Sequence, residues 1–437
     1  MTRLRRAART TFRSLRVRNY RLYFTGQLIS VSGTWMQSVA QAWLVLRYLA
    51  PKGQAGVDVG ITMALQFLPM LLFGAWGGLV ADRVDKRRLL FATQFAAGVL
   101  ALALGLLVLV GPGPAGAARL WEVYLLALLL GFVNMLDNPA RQTFVIEMVG
   151  RDDLPNAVSL NTIVMNGARV IGPAIAGALI ATVGLGACFV ANAASYGAVI
   201  VALMLMHRSA LHPAERVERA KGQLREGLRY AWRTPNLRDP LVLVFVVGLL
   251  AYNFTVILPL LAHQTFHGGA GTLALLTSLM AGGAVLGGLV VANRGKPDIH
   301  RLTAVGIVFG VLIAAVALSP TLVVACVALV LMGSMSIGFI ATANATIQLR
   351  VEPSMRGRVM ALYAMGFLGT APVGAPLVGW ISQTSSPRVA LLVGAGATVV
   401  ASALTLVRHR HEHARAEARA EAAAVAAAVP GTELGVA

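Results

Sequence analysis

Asp82, Asp137 and Arg169 are among the ionisable residues that stand inside or at the edges of long apolar stretches of the sequence. A charged side chain at the centre of a membrane helix costs about 2.5–3.5 kcal/mol on insertion scales, so each such residue needs a partner or a purpose. A carboxylate there can face the positive N-terminus of a helix, and an arginine can bind an anionic group. The chemistry that these residues offer is ion pairing and proton binding.

Residues for catalysis or metal binding are missing from the apolar stretches. The eight histidines lie in gaps, at helix ends or in the C-terminal tail, and the two cysteines, Cys188 and Cys326, stand in different stretches. The sequence has no Gly-x-x-x-x-Gly-Lys-Ser/Thr loop to hold nucleotide phosphates. The pattern therefore argues against an enzyme, against a resident metal or cofactor, and against a process driven by ATP.

The composition is that of a membrane protein, because 57% of the 437 residues are hydrophobic and only 13% are charged. A spanning helix needs about 20 mostly apolar residues. Twelve stretches qualify, near 22–46, 58–81, 89–110, 121–140, 155–181, 185–206, 241–263, 272–293, 302–319, 321–346, 359–381 and 389–407. The alternating pattern of a β-barrel is absent. The predicted fold class is an all-α membrane protein with twelve transmembrane helices.

Lys and Arg residues concentrate in every second gap between these stretches, beginning with residues 1–21. Cytoplasmic loops of membrane proteins collect such cations. We therefore expect a multi-pass protein of the cytoplasmic membrane with both termini in the cytoplasm. The net charge of +19 orients the chain in its lipid bilayer and does not indicate a nucleic-acid partner.

The longest polar interruption separates six stretches from six. Within it, residues 223–233 place apolar side chains between cations, which predicts a helix lying in the membrane interface. The predicted units are a basic N-terminal segment 1–21, a six-helix bundle 22–206, a linker 207–240, a second bundle 241–407 and an Ala-rich tail 408–437. The tail is expected to be solvated, partly helical or disordered.

The two halves resemble degenerate copies of each other. Residues 172–177 of the fifth stretch read Gly-Pro-Ala-Ile-Ala-Gly, and residues 374–379 of the eleventh read Gly-Ala-Pro-Leu-Val-Gly. The end of the second stretch, 77–83, has a fainter echo at 287–294. Duplicated halves of membrane transporters usually meet at a binding site near the midplane. The echoes predict two pseudo-symmetric bundles around such a site.

The run 78–90 resembles the loop motif of the major facilitator superfamily, Gly-x-Leu-Ala-Asp-Arg-x-Gly-Arg-Lys-x-x-Leu. The matching residues are Gly78, Ala81, Asp82, Arg83, Arg87 and Leu90, with Lys86 in place of Arg and Asp85 in place of the second Gly. The resemblance implies that Gly78 permits close helix approach and that Asp82 faces the start of the eleventh stretch near 357–359, as a gating switch. The alternative is a plain basic stop signal.

Residues 167–177 resemble the Gly-x-x-x-Gly-Pro-x-x-Gly-Gly pattern of exporters in this superfamily. Gly172, Pro173 and Gly177 match, whereas Ala176 replaces one glycine and the upstream glycine is one position early. The resemblance implies a proton antiporter. Helix packing by small residues with a proline bend is the alternative explanation.

Asp137 and Arg141 lie one turn apart at the cytoplasmic end of the fourth stretch. In the family, an acid there joins the loop-motif carboxylate and a basic residue in a charge relay. The resemblance assigns those roles to Asp82, Lys86 and Asp137, and a local Asp137–Arg141 ion pair is the alternative. Arg169, in the middle of the fifth stretch, can meet an anionic substrate group or a carboxylate, or order buried helix backbone.

Amide side chains in the apolar stretches are candidates for lining a central cavity. They are Gln27, Gln37, Gln41, Asn161, Asn166, Asn253 and Asn344. Any single one of them more often bonds a neighbouring helix than a ligand. Asp58 and Glu122, near the outer ends of the second and fourth stretches, are expected to be solvated anchors.

Residues 12–24, 137–141 and 356–362 resemble the superfamily branch of enterobactin exporters and macrolide or tetracycline efflux proteins. The resemblance covers 12–407. It implies export of a small organic molecule, such as a drug, siderophore or secondary metabolite, by alternating access. The coupling ion would be the proton, and the protein would work as a monomer around a cavity lined by stretches 1, 4, 5, 7, 8, 10 and 11. Uptake, facilitated diffusion and a non-transporting sensor or scaffold remain alternatives.

Overall fold

A computed structural model describes residues 12–51, 53–212, 223–292, 297–352, 354–367 and 369–428, in which no strand occurs. The α-helices are α1 Arg18–Leu44, α2 Ala55–Arg83, α3 Lys86–Leu109, α4 Leu120–Thr182, α5 Leu185–Leu205, α6 Gln223–Arg233, α7 Pro235–Val246, α8 Phe254–Leu260, α9 Ala270–Ala292, α10 Ile299–Ala317, α11 Leu322–Arg350, α12 Arg356–Phe367, α13 Ala371–Thr384 and α14 Pro387–Ala428. The prediction of an all-α membrane protein is confirmed for these residues.

Ten helical segments of the described chain are long and apolar enough to cross a membrane, against twelve predicted stretches. Part of the difference lies in α4, whose 63 residues contain both the fourth and the fifth predicted stretches, joined at Gly150. The other part is α1, which is long enough but carries many polar side chains. The count of twelve crossings depends on these two assignments and stays a prediction.

Residues 12–17 contact the second half of α4 just after Gly150, and α6 contacts the start of α12. We call the side of the protein on which these helix ends lie the basic face, and the other side the opposite face. Residues 12–24, which carry part of the family resemblance, hydrogen-bond the basic-face end of α1 to its neighbours. Ser14 N donates to Asn156 Oδ1 at 2.9 Å, and Tyr20 Oη donates to the Ala157 carbonyl at 2.8 Å. These bonds fix α1 against the start of the second half of α4.

The linker contains the helix expected from its sequence, although residues 213–222 lie outside the described part. In α6, Gly227 packs against Arg358 at the start of α12, and Glu226 forms an ion pair with Arg358 at 2.9 Å. Leu228 and Trp232 are 51% and 64% exposed, one turn apart on the helix. This apolar edge is therefore free to enter the membrane interface.

The C-terminal tail differs from the expectation over part of its length. Helix α14 continues to Ala428, well past the predicted start of the tail at 408. Alanine, arginine and glutamate are strong helix formers, so the transmembrane helix extends through this composition. Residues 429–437 lie outside the described part.

Gly150 supplies a test of how the two halves of α4 are joined. Its φ of 74° and ψ of −178° belong to a region that is essentially restricted to glycine. Replacing Gly150 by Ala should therefore destabilise the fold by about 1–3 kcal/mol through backbone strain. The matched control is Gly197→Ala, since an added Cβ there meets nothing within 4 Å. We expect a lower unfolding midpoint in detergent for Gly150→Ala alone; equal midpoints would contradict the strain.

Candidate functional site

A cavity of about 210 Å³ lies between the N-terminal and C-terminal halves of the protein. Its walls come from α1, α2 and the second part of α4 on one side, and from the segment 248–259, α9, α11, α12 and α13 on the other. The principal side chains are Trp35, Ser38, Met63, Phe67, Arg169, Tyr252, Asn253, Phe254, Thr255, Thr277, Met280, Ser336 and Phe367. The expectation that stretch 4 lines the cavity is wrong for this structure, in which α2 takes that place.

Close glycine contacts join α2 to α13 on the opposite face. An added Cβ at Gly56 or at Gly379 would collide with the backbone carbonyl of the other residue, and one at Gly60 would lie 2.5 Å from the Ala375 carbonyl. The backbones touch because no side chain separates them. A hydrogen bond from Val57 N to Gln383 Oε1 at 3.3 Å supports the same contact.

A second close contact joins the second part of α4 to α9. An added Cβ at Gly177 would lie 2.5 Å from the Ala274 side chain, and Ser278 Oγ donates to the Val170 carbonyl at 3.1 Å. We call the α2–α13 and α4–α9 contacts together the opposite-face seam. Since both contacts lie toward the opposite ends of their helices, they close the cavity on that side.

The seam is pseudo-symmetric, in agreement with the sequence similarity between residues 172–177 and 374–379. An added Cβ at Gly172 would lie 2.6 Å from the Ser32 carbonyl of α1, and one at Gly374 would collide with the Leu249 carbonyl after α7. Five residues further along each helix, Gly177 and Gly379 make the contacts to the other half. The two related motifs therefore make equivalent contacts. The first glycine, Gly172 or Gly374, packs within its own bundle, and the second, Gly177 or Gly379, contacts the other half at the seam.

Asp137 is the centre of a buried polar cluster at the basic ends of three helices. It is 1% exposed, and its Oδ1 accepts hydrogen bonds from Thr93 Oγ1 at 2.7 Å and Gln94 Nε2 at 2.8 Å. Its Oδ2 accepts from Arg141 Nε at 2.9 Å and from a terminal nitrogen of the same guanidinium. Arg141 also donates to Gln27 of α1. Both carboxylate oxygens are thus satisfied, and α1, α3 and α4 are tied together.

Lys86 does not reach this cluster. Its Nζ pairs with Glu147 Oε1 at 2.6 Å, and both side chains are largely buried. The expected grouping of Lys86 with Asp137 is therefore not what the structure shows; Asp137 has the local Arg141 partner that was the alternative. Lys86 lies at the basic-face end of α3. Glu147 is closer to that end than Asp137, because it lies about ten residues, or roughly 15 Å, further along α4 toward the basic face.

The loop-motif residues around Lys86 build the α2–α3 turn. Asp85 caps α3 by accepting from Arg88 N at 2.9 Å, with φ of −55°, so the motif's second glycine is not needed here. Arg87 Nε donates to the Leu203 carbonyl at 2.7 Å near the end of α5. A cation at a helix C-terminus is favourable for the helix dipole.

The gating residues of the motif lie at the end of α2. Asp82 is partly exposed and Arg83 is exposed. Gly78 is buried, but the close contact between α2 and α4 occurs one residue earlier, at Gly77, where an added Cβ would lie 2.5 Å from the Met135 carbonyl. The expected partner region of Asp82 is occupied in part, because Arg358 pairs with Glu226 of the linker helix.

Arg169 enters the cavity from the second part of α4. Its guanidinium carbon lies 4.9 Å from the centre of the Trp35 ring, and its Nε is buried without a hydrogen bond. At Gly172, one turn along the same face, an added Cβ would lie 2.6 Å from the Trp35 Cβ. The missing side chain at Gly172 therefore lets Trp35 come close enough to lie against Arg169.

The seven candidate amides divide between structural and cavity positions. Asn253 lines the cavity, and Gln41 lines a smaller neighbouring pocket. Gln27 bonds Arg141, and Gln37 accepts from Asn192 Nδ2 at 2.7 Å, so both join helices. The remaining three, Asn161, Asn166 and Asn344, are partly exposed and do not line the cavity.

Sequence reasoning missed most of the cavity wall. Its aromatic and sulfur-containing side chains, such as Trp35, Tyr252 and Met280, have the same types as ordinary lipid-facing residues. Two sequence signals pointed to this place: Arg169, because charge in a membrane helix is costly, and the candidate amide Asn253.

Asp58 is not the solvated anchor expected from the sequence. It is 6% exposed, and its Oδ1 accepts a hydrogen bond from Tyr124 Oη at 2.8 Å, whereas Oδ2 is buried without a partner. Asp58 lies in the first turn of α2, beside the residues that contact α13. The packing of the opposite-face seam covers a carboxylate that sequence position alone would leave in water.

Comparisons with known proteins agree with this architecture. The family model described as "Transmembrane secretion effector" matches residues 9–432. The chain is 27% identical over 390 residues to the multidrug efflux pump Tap of Mycobacterium tuberculosis, covering 87% of this chain and 89% of that protein. It is 25% identical over 400 residues to the enterobactin exporter EntS of Citrobacter koseri, covering 89% and 91%.

Solved structures share the fold. The nucleoside transporter NupG superposes with a TM-score of 0.70 over 90% of this chain and 99% of its own, at 13% sequence identity. The likeness therefore extends over both halves of the fold.

The Asp137 cluster makes a prediction about stability. Replacing Asp137 by Asn leaves the Arg141 guanidinium without its counter-charge, and breaking a buried pair in this way costs about 3–5 kcal/mol. The double variant Asp137→Asn/Arg141→Gln should lose less than Asp137→Asn alone. The control is Arg13→Gln, which breaks an ion pair to Asp153 whose arginine is 56% exposed and should cost at most about 1 kcal/mol. Unfolding midpoints in detergent measure the three; equal losses for Asp137→Asn and Arg13→Gln would contradict the assignment.

Proposed function

The chain belongs to the transmembrane secretion effector family of the major facilitator superfamily, and on this premise we propose that it exports a small organic molecule in exchange for protons. The resemblance found in its motifs is confirmed by that match, and the relatives are transporters rather than enzymes. The proposal adds the direction of transport, the alternating-access mechanism and the coupling ion.

The observation that carries the proposal is a central cavity closed on one face by direct contact between the two halves. If the basic face is the cytoplasmic one, as the distribution of Lys and Arg predicts, the seam closes the outer side. The structure would then represent the inward-facing state, in which substrate enters from the cytoplasm. Export requires a second state, in which the seam opens and the basic ends of the halves meet.

The direction of transport is inferred from two features. Tap is named an efflux pump and EntS an exporter, and both relatives align with most of this chain. The motif 167–177, whose exporter pattern predicted antiport, supplies Gly177 to the seam. A motif that seals the outer side of a loaded cavity suits a protein that must prevent its substrate from leaking back.

The inner gate is assigned to the loop motif. In the outward-facing state, Asp82 would meet the N-terminus of α12, where the unpaired backbone N–H groups attract a carboxylate. Lys86, Arg87 and Asp85 would not move in that step, since their bonds to Glu147, the end of α5 and the start of α3 hold the loop within the N-terminal half. The loop then acts as a rigid arm that carries Asp82, with Arg83 beside it.

The coupling carboxylate is assigned to Asp58 rather than to Asp137. Both carboxylate oxygens of Asp137 are engaged by four hydrogen bonds, two of them from Arg141, which favours a structural role for this residue. Asp58 has one buried oxygen without a partner, with the phenol of Tyr124 as its titratable neighbour. Opening of the seam would expose Asp58 to the outer solution, where it could take up a proton.

Transport into inverted membrane vesicles tests the proposed function. An acidic vesicle lumen should drive accumulation of a transported dye or drug, and collapsing the pH gradient should abolish it. Asp58→Asn should bind substrate but lose the dependence on the gradient. Accumulation that is independent of the gradient would contradict antiport, and accumulation only in right-side-out vesicles would indicate uptake.

Asp82 gives a separate prediction about the inner gate. Asp82→Asn removes the charge that would face the α12 N-terminus, so transport should fall by at least tenfold while the protein inserts and folds normally. Asp85→Asn is the matched control in the same loop, because an asparagine caps a helix about as well as an aspartate. Normal export by Asp82→Asn in inverted vesicles would rule out the gating role.

A further inference from the structure

The cavity contains a single charged side chain among its described lining residues, and that side chain is Arg169. None of these described lining residues carries a carboxylate. The other polar groups there are hydroxyls, the phenol of Tyr252 and the amide of Asn253. An arginine stays protonated in proteins, so the cavity carries a net positive charge near the middle of the membrane.

The guanidinium is positioned but not neutralised by the protein. Within the described part of the chain, no ion pair or hydrogen bond to Arg169 is formed, and its Nε is buried without a partner. Its contact is the face of the Trp35 ring, at 4.9 Å. Stacking on an aromatic face leaves the N–H groups available, because they lie in the guanidinium plane.

The acids of the same half are engaged elsewhere. Asp137 is saturated by Thr93, Gln94 and Arg141, and Asp58 bonds Tyr124 at the opposite-face seam. Neither residue lines the cavity. Arg169 is partly buried, with its Nε fully covered. A cation in such a place without a protein counter-ion is costly, and an anionic ligand would reduce that cost when it binds.

The remainder of the wall is suited to an apolar or aromatic body. Trp35, Phe67, Phe254 and Phe367 present rings to the cavity, and Met63 and Met280 add side chains that adapt to irregular shapes. The volume of about 210 Å³ favours a compact ligand.

We propose that the substrate of this transporter is a compact amphipathic organic anion whose carboxylate binds Arg169 while its aromatic or apolar body packs against the Trp35, Phe254 and Phe367 side. The carboxylate would take the in-plane guanidinium donors in a bidentate pair. This assignment rests on the proposed transport function, whose direction and coupling it leaves unchanged.

Binding to the purified protein in lipid nanodiscs, without any gradient, tests the assignment. The probes are benzoate, 2-naphthoate and indole-3-acetate, each compared with its own primary amide, which keeps the shape and loses the charge. We expect at least one carboxylate to bind at least tenfold more tightly than its amide. Arg169→Gln should abolish that preference and leave amide binding within about twofold.

Two further variants separate charge recognition from misfolding. Arg169→Lys keeps a positive charge without the planar fork, and it should retain part of the preference. Arg47→Gln removes an exposed cation that is not in the cavity wall, and it should change nothing. If no carboxylate binds better than its amide, or if the preference survives Arg169→Gln, the assignment is overturned.

The outcome is distinguishable from that of the transport experiment. Arg169-dependent binding of carboxylates without movement into inverted vesicles would sustain the binding site and refute the proposed function. Gradient-driven export with equal binding of carboxylates and amides would sustain the function and refute the anion site.

Discussion

Direct backbone contact between the two halves is the constraint on which the rest of this structure depends. In a membrane, apolar side chains gain little by leaving lipid, so helices associate through close packing instead. Glycine at 56, 60, 177 and 379 allows that packing at the opposite-face seam. Two helix pairs, α2–α13 and α4–α9, make this contact. The proposed alternating-access cycle requires both pairs to separate together.

Charge inside the membrane is handled in two different ways in this protein. Asp137 and Arg141 neutralise each other, and neighbouring polar side chains satisfy the carboxylate, so this cluster stabilises the N-terminal half. Arg169 has an aromatic neighbour but no counter-ion among the described residues, and it faces the cavity. The cost of placing charge in the membrane is therefore offset by protein partners at Asp137 and, in the proposed anion site, by the ligand at Arg169.

The fold class could be predicted from the sequence because a helix that crosses the membrane must consist of about 20 mostly apolar residues. Periodic repetition of the Gly-Pro motif also located the two equivalent helices that form the seam. The count of crossings was harder to obtain. Helix α1 has a high polar content, and two stretches meet at the Gly150 kink without an intervening loop. The side-chain partners of the charged residues were harder still to predict from the sequence. Lys86 pairs with Glu147, 61 positions away, and Asp58 bonds Tyr124, 66 positions away. No local sequence pattern encodes such distant pairs. Most of the cavity wall consists of ordinary membrane residue types, so the sequence pointed only to its arginine, Arg169, and its amide, Asn253.

Spin-label distances across both faces test the central claim, that the seam holds one of two exchangeable states. Labels would replace exposed residues on the opposite face, Pro114 and Ser385, and on the basic face, Arg88 and Glu352, after Cys188 and Cys326 are changed to Ala. Gly60→Leu places a side chain where a Cβ alone would lie 2.5 Å from the Ala375 carbonyl. The account predicts that this variant lengthens the opposite-face distance and shortens the basic-face distance. Distances that stay unchanged, or that lengthen together on both faces, would contradict it.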